Sequence, residues 1–157
     1  MLTKRITFEE ILPIWETKLW PGRESAIETH SVMTWPHSMV YFQREEYDMS
    51  IFNYDAHFWG TFIDGDLVGV NSGHLTSNTE YRSRGIWVDP SFRGKGIAQI
   101  LLQMTNHSAV MSGADMIWTM PRKTALSSYT RFGFKTVGDF FGTETAEANI
   151  YAYLEIN

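Results

Sequence analysis

The residues best suited to chemistry form a glycine-rich segment near the middle of the chain, from Arg93 to Ala98. A short apolar run precedes this segment and a helical apolar pattern follows it, so the order is strand, glycine loop, helix. The first amides of a helix lack internal partners and attract anions. Gly94 and Gly96 allow the backbone to approach an anion closely, and Arg93 and Lys95 add cationic donors. The segment therefore predicts a phosphate-binding loop.

Two common phosphate-binding motifs do not fit this segment. The P-loop needs a serine or threonine that holds magnesium, but Gly96 is followed by apolar residues. The dinucleotide fingerprint would begin at Gly94 and needs a small residue at the position that Gln99 occupies. The pattern that remains is Arg93-x-x-Gly96-x-Ala98.

This remaining pattern resembles the Arg/Gln-x-x-Gly-x-Gly/Ala signature of the GNAT acyltransferases, whose loop amides bind the pyrophosphate of acetyl-coenzyme A. The apolar run before the loop ends in Asp89-Pro90, and Ile100 to Leu102 continue the helix pattern after it. Both flanks strengthen the resemblance. The alternative interpretation is an ordinary strand-to-helix turn with a solvated arginine and lysine.

A second motif of the same family lies further along the chain. Many members carry Asn-x-x-Ala-x-x-x-Tyr-x-x-x-Gly-Phe, and this chain reads Arg122-x-x-Ala125-x-x-x-Tyr129-x-x-x-Gly133-Phe134. The spacing is kept, while an arginine replaces the usual asparagine, so no cofactor contact is assigned to that position. The resemblance extends over residues 8–156.

The resemblance implies an N-acetyltransferase that moves the acetyl group of acetyl-coenzyme A to a primary amine by direct transfer in a ternary complex. In the family the pantetheine arm of the cofactor pairs with the fourth strand, here at Ile86 to Val88, and a backbone N–H polarises the carbonyl oxygen. That N–H is assigned to Val88. The cofactor-binding residues implied are Ile86, Trp87, Val88, Arg93, Gly94, Lys95, Gly96, Ile97, Ala98 and Ser128.

Tyr129 is the residue to which the resemblance assigns a catalytic side chain. The family places a tyrosine here as the general acid for the departing thiolate. A phenol with a pKa near ~10 holds a donatable proton at neutral pH, whereas a thiol has a pKa near ~8.5. The alternative role for Tyr129 is packing on the apolar face of a short helix.

The general base that takes the proton from the amine has three candidates. His74 and Glu80 flank the hairpin that leads into the fourth strand, and ordered water is the third possibility. Arg82 and Arg84 stand on the strand where some relatives carry a glutamate base, and an arginine cannot serve as one.

Two other functions remain open from the sequence. The chain could be a non-catalytic domain that binds coenzyme A, or a transferase of another acyl group. Tyr129 favours the enzyme, whereas Arg122 in place of the family asparagine leaves the non-catalytic domain open. The acceptor is expected to be the amine of a small molecule or a peptide.

Composition excludes several classes of protein. The 157 residues include no cysteine, which rules out disulfides, zinc–thiolate sites and a cysteine nucleophile. The histidines show no metal-ligand spacing, so no metal site is predicted. A formal net charge of −5 argues against a nucleic-acid partner and is compatible with a cationic amine, although solubility alone also explains it. Without a signal peptide or a transmembrane run, a cytoplasmic protein with no membrane partner is expected, and a homodimer is left open.

The predicted elements that must position these residues form an α+β fold in one domain over residues 1–157. Its mixed, mainly antiparallel sheet has six to seven strands with helices on both faces, as the resemblance implies. A capping box at Thr7 and Glu10 starts the first helix. A second helix is expected over 24–33, and a loop over 138–148. The predicted strands cover 2–6, 57–63, 67–75, 81–88, 116–120, 134–137 and 149–156.

Overall fold

A seven-stranded sheet organises the computed structural model, which describes residues 1–23, 25–37, 46–142 and 148–156. The spatial order of the strands is β1-β2-β3-β4-β5-β7-β6, and β4 with β5 is the parallel pair. The predicted fold class is therefore confirmed. The strands are β1 (Leu2–Ile6), β2 (Ala56–Ile63), β3 (Asp66–Leu75), β4 (Glu80–Val88), β5 (Met116–Thr119), β6 (Lys135–Phe141) and β7 (Asn149–Glu155).

Within the described residues, the α-helices are α1 (Phe8–Ile14), α2 (Ile97–Met111) and α3 (Lys123–Phe132). The predicted capping box at the start of α1 is present, and the helix continues after Ile14 as a π-helical turn, Trp15–Leu19. None of the helices in the described ranges is long and apolar enough to cross a membrane.

Helices cover both faces of the sheet, and two adjacent residues of β2 mark the two faces. Successive side chains of a strand point to opposite sides. Phe58 packs in a cluster with Trp15 and the residues of α1, whereas Trp59 packs with Ile97 and Leu101 of α2. Helix α3 lies on the same side as α2, because Tyr129 and Leu102 share a third cluster.

The helix predicted over 24–33 is wrong for residues 25–33, and residue 24 lies outside the described residues. This segment is irregular because buried side chains of the sheet use its polar groups. The Ser31 N–H donates to His74 Nε2, Arg82 donates to the Ser31 hydroxyl, and Arg84 donates to the Glu28 carbonyl. These long-range bonds outweigh the weak local preference for a helix.

The loop predicted over 138–148 is also partly wrong, because β6 continues to Phe141. A bulge between Val137 and Phe141, with a positive φ at Gly138, restores the pairing of Phe141 with Asn149. The Phe141 ring then stacks on Tyr151 with 4.9 Å between ring centres. Residues 143–147 of the predicted loop lie outside the described residues.

The sheet opens between β4 and β5, which are paired only from Glu80 to Arg82. On its other side β4 stays paired with β3, but the register shifts at a bulge that contains Gly85. Gly85 has a φ of +77°, a conformation that other residues adopt only with strain. A bulge increases the local twist and bends a strand, which accounts for the separation from β5.

The fully buried Trp15 holds this bulge in place. Its indole N–H donates to the Gly85 carbonyl at 2.9 Å. A Cβ atom at position 85 would overlap the indole ring, so only glycine fits both the backbone angle and the packing.

We expect Gly85→Ala to lower the free energy of unfolding by roughly 1–3 kcal/mol more than a matched glycine substitution, because it adds overpacking to backbone strain. Gly113→Ala is the control, since Gly113 has a similar φ of +84° and open space around it. Urea unfolding of both variants measures the difference. Equal losses would show that Trp15 does not constrain the bulge.

Candidate active site

The opening between β4 and β5 leads into a cleft of about 1060 Å³. The cleft is lined by the end of β4, the glycine loop, the starts of α2 and α3, and the segment from Ala26 to Met33. Lys95 does not line it, and its ammonium group lies 5.6 Å from the centre of the Phe92 ring. Tyr129 and the other predicted cofactor-binding residues do line it: Ile86, Trp87, Val88, Arg93, Gly94, Gly96, Ile97, Ala98 and Ser128.

The glycine loop presents free backbone to the cleft. Gly96 is the N-cap residue just before helix α2 and has a φ of +79°, and no side chain caps the helix. A Cβ atom at Gly94 or Gly96 would meet nothing within 4 Å, so the space beside the loop is open. The Arg93 Nε–H donates to the Val88 carbonyl at 3.1 Å, which joins the loop to the end of β4.

The end of β4 presents a second row of backbone groups. The Asp89 N–H donates to the Val68 carbonyl on β3 at 2.8 Å. Because amide directions alternate along an antiparallel strand, the Val88 N–H points to the opposite edge, which β5 has left. This edge can donate to a ligand that enters the opening.

Tyr129 lies where β4 and β5 separate. Its hydroxyl is 2.9 Å from the Ser83 hydroxyl, and only 1% of the residue is exposed. Burial raises the pKa of the Tyr129 phenol, and its hydrogen bond with Ser83 acts in the opposite direction. The phenol therefore keeps its proton at neutral pH.

A chain of hydrogen bonds orients this hydroxyl. The Asn71 amide donates to Ser83 Oγ at 3.0 Å and to Thr105 Oγ1 at 2.9 Å. The Ser83 proton has two acceptors within reach, the Tyr129 oxygen at 2.9 Å and Asn71 Oδ1 at 3.4 Å. When it points to Tyr129, the closer of the two, the phenol proton is free to point elsewhere. Sequence reasoning missed Ser83 and Asn71 because no motif marks either residue.

Arg82 and Arg84 reach the cleft from the face of β4 opposite Ser83 and Tyr129. From the sequence alone, these arginines are only excluded as general bases. Arg82 lies 4.9 Å from the centre of the Trp118 ring, and burial lowers its pKa to about 10. Arg84 lies 4.8 Å from the Trp15 ring and 5.1 Å from the Trp20 ring. Burial, and then the charge of Arg82, lowers the pKa of Arg84 to about 9.

The cleft is cationic although the chain as a whole is acidic. The formal net charge is −5, yet Glu28 is the one carboxylate among the described residues that line the cleft. The local charge therefore does not favour the cationic acceptor that the net charge allowed. The arginines of the cleft are Arg23, Arg82, Arg84, Arg93, Arg122 and Arg131.

Neither of the two side chains considered as candidates for the general base lines the cleft. His74 is buried, with Nε2 accepting from the Ser31 N–H and Nδ1 near the Leu75 carbonyl, so both ring nitrogens are engaged. Glu80 begins β4, eight residues and roughly 26 Å before Val88 at about 3.3 Å per residue.

Comparison with known proteins identifies the family. Residues 54–136 match the model described as the acetyltransferase (GNAT) domain, which is more than half of the chain. The chain therefore belongs to the GNAT acetyltransferase family, and the resemblance noted from the sequence is confirmed.

The relatives support the same family over part of the chain. The uncharacterized N-acetyltransferase YitI of Bacillus subtilis (strain 168) is 27% identical over 88 residues, which is 52% of this chain and 59% of that protein. The chain thus spans less than two thirds of this relative. Nourseothricin acetyltransferase has a TM-score of 0.59 at 25% identity, with 66% of each chain covered. A GNAT acetyltransferase of Elizabethkingia anophelis with acetyl-CoA bound shares the fold, with a TM-score of 0.54 at 14% identity, 64% of this chain and 76% of that chain being covered.

The buried His74 predicts a pH dependence of stability. Burial lowers the pKa of His74 well below 6.5 in the folded state. The unfolded chain therefore binds more protons in acid, and stability that is present above pH 6.5 is lost as the pH falls. Burial also lowers the pKa of His30 and His57, which act in the same direction.

We expect His74→Gln to reduce the dependence of the unfolding free energy on pH between about 6.5 and 5.5, by at most about 1.4 kcal/mol per pH unit. Glutamine can accept from Ser31 and donate to Leu75 without titrating. The exposed His107, changed to Gln, is the control. A slope that stays the same in His74→Gln would contradict a neutral buried His74.

Proposed function

We propose that this protein is an N-acetyltransferase that transfers the acetyl group of acetyl-coenzyme A directly to a primary amine. One observation carries the proposal: the open edge of β4 and the glycine loop at the start of α2 face the same cleft. The first suits an extended ligand that pairs with backbone, and the second suits a phosphate group. Membership of the GNAT family agrees with this combination.

The residues of the cleft fit acetyl-coenzyme A. The space beside Gly94 and Gly96 is open, and the first turn of α2 contains no acidic residue that would repel an anion. The amides of Ile97 and Ala98, at the start of the helix, are suited to bind the pyrophosphate. The backbone of Ile86 to Val88 is suited to pair with the pantetheine arm.

The chemistry needs an oriented acyl group and a place for two protons. Bound acetyl-coenzyme A supplies an activated acetyl group, whose C–S bond breaks as the C–N bond of the amide forms. The Val88 N–H donates to the carbonyl oxygen, on which negative charge develops, and such a donor typically contributes roughly 10²–10³ in rate. The amine proton passes to water, since His30, which does line the cleft, uses both ring nitrogens for Thr29 and Tyr54.

Tyr129 supplies the proton to the thiolate in this proposal. Tyr129 lines the cleft, and burial keeps its phenol protonated. Ser83 can donate to the phenol oxygen at 2.9 Å, which directs the phenol proton away from Ser83. The same bond holds the ring in one position, so Asn71 and Ser83 act as positioning residues.

We expect Gly96→Asp to weaken binding of coenzyme A roughly 10²-fold, because the new carboxylate would stand beside the phosphate site. Isothermal calorimetry with coenzyme A measures the change. Gly113→Asp is the matched control, because Gly113 follows the other end of α2, has a positive φ and is equally open. A folded Gly96→Asp protein with unchanged affinity would remove the loop from the site.

We expect Tyr129→Phe to lower kcat and kcat/KM together by roughly 10²–10⁴, while the affinity for coenzyme A changes little. The substitution keeps the ring and removes the hydroxyl that bonds Ser83. The assay measures release of free thiol from acetyl-coenzyme A with an amine acceptor. Near-full turnover would return Tyr129 to a packing role, and coenzyme A binding without any thiol release would favour a non-catalytic domain.

A further inference from the structure

We propose that the amine acceptor also carries an anionic oxygen group, a carboxylate or a phosphate, which Arg82 and Arg84 bind. The inference deepens the proposed function and rests on it. It concerns the face of β4 that is turned away from Tyr129.

The position of the two arginines separates them from the proton donor. Residues two apart on a strand share a face, so Arg82 and Arg84 point to one side of β4 and Ser83 to the other. Ser83 contacts Asn71 and Tyr129 on the side of α2 and α3. The arginines lie on the opposite side, against the irregular segment 25–33, and both line the cleft.

The donors of the two guanidinium groups are mostly unused. A guanidinium carries five N–H bonds in a planar fork. Arg82 donates to the Ser31 hydroxyl at 2.6 Å, and its buried Nε has no partner among the described residues. Arg84 donates to the Glu28 carbonyl at 3.0 Å. Neither arginine forms an ion pair with a carboxylate in the part of the chain that the structure describes.

Two adjacent buried cations without a counterion are unfavourable by themselves. Burial lowers the pKa of both guanidinium groups, and the charge of Arg82 lowers that of Arg84 further. The exposed Glu28 acts in the opposite direction on Arg84, but it is the last of the four causes in size. Both groups stay protonated at neutral pH, so an anion in the cleft would relieve the repulsion and accept the free donors.

The surroundings of the pair also suit a small organic acid. Arg84 is held between Trp15 and Trp20, which fixes its fork without using its N–H donors. Beyond the arginines the cleft wall is largely apolar, so the acceptor also has room for a hydrophobic portion. The residues of this wall are Val32, Met33, Tyr47, Met49 and Phe52.

The test compares matched acceptors with acetyl-coenzyme A by thiol release. The carboxylate arm pairs L-phenylalanine with L-phenylalaninamide and glycyl-L-phenylalanine with its amide. The phosphate arm pairs phosphoethanolamine with ethanolamine. In at least one arm we expect kcat/KM for the acid to exceed that of its partner without the anionic group by roughly 10²-fold, which is the usual scale for charged hydrogen bonds. The arm that responds identifies the anion.

Variants connect this preference to the arginines. Arg84→Gln should bring the ratio of kcat/KM for the acid to kcat/KM for its partner without the anionic group close to one. Arg84→Lys, which keeps the charge and loses the planar fork of donors, should lower this ratio roughly tenfold. Arg82→Lys is a second mild variant if Arg84→Gln does not fold. Arg5→Gln, at an exposed position on β1 outside this cleft, is the control and should keep the ratio. Coenzyme A affinity by calorimetry verifies that each variant is folded.

The outcomes separate this inference from the proposed function. Thiol release with the acceptors that lack an anionic group, and no preference for the acid in either arm, would overturn the anion site. The acetyltransferase proposal would remain in place. Acid preference that survives in Arg84→Gln would also overturn it. If the unmodified protein does not bind coenzyme A in calorimetry, both proposals are overturned.

Discussion

The opening of the sheet depends on one contact, the hydrogen bond from the Trp15 indole to the Gly85 carbonyl. This bond and the positive φ of Gly85 hold the bulge at which β4 changes register against β3. Beyond Arg82, β4 keeps its pairing with β3 and loses its pairing with β5, so its backbone faces the cleft. Because Trp15 belongs to the turn that follows α1, the N-terminal helix and the opening in the sheet are physically linked.

Strand β4 divides the cleft into two chemical environments. On the side of α2 and α3, Ser83 joins Tyr129 to a neutral chain of hydroxyl and amide groups. On the other side, Arg82 and Arg84 place two positive charges among tryptophan rings. A strand can separate these environments because its side chains alternate, so the neutral hydrogen-bonded chain and the two cations lie on opposite faces of β4. The arginines also make the cleft cationic in a chain of net charge −5.

The sequence alone determined the features that depend on neighbouring residues. The capping box at Thr7 and Glu10 and the strand-to-helix turn from Arg93 to Ala98 each follow local rules, and each is found as predicted. The family followed from the spacing of two short motifs and is confirmed by the match over residues 54–136. Backbone geometry of this kind is set within a few residues, so a pattern in the chain is sufficient to indicate it.

Tertiary structure decided the features that join distant parts of the chain. The segment 25–33 is irregular, and not helical, because Ser31 bonds to Arg82, which is 51 residues away in sequence. Likewise, Ser83 meets Tyr129 across 46 residues, and the fold buries His74 outside the cleft. The sign of the charge in the cleft also depends on which arginines converge there. The formal net charge of the whole chain has the opposite sign. Such contacts cannot be predicted from local pattern, because hydrogen bonding and desolvation depend on which groups the fold brings together.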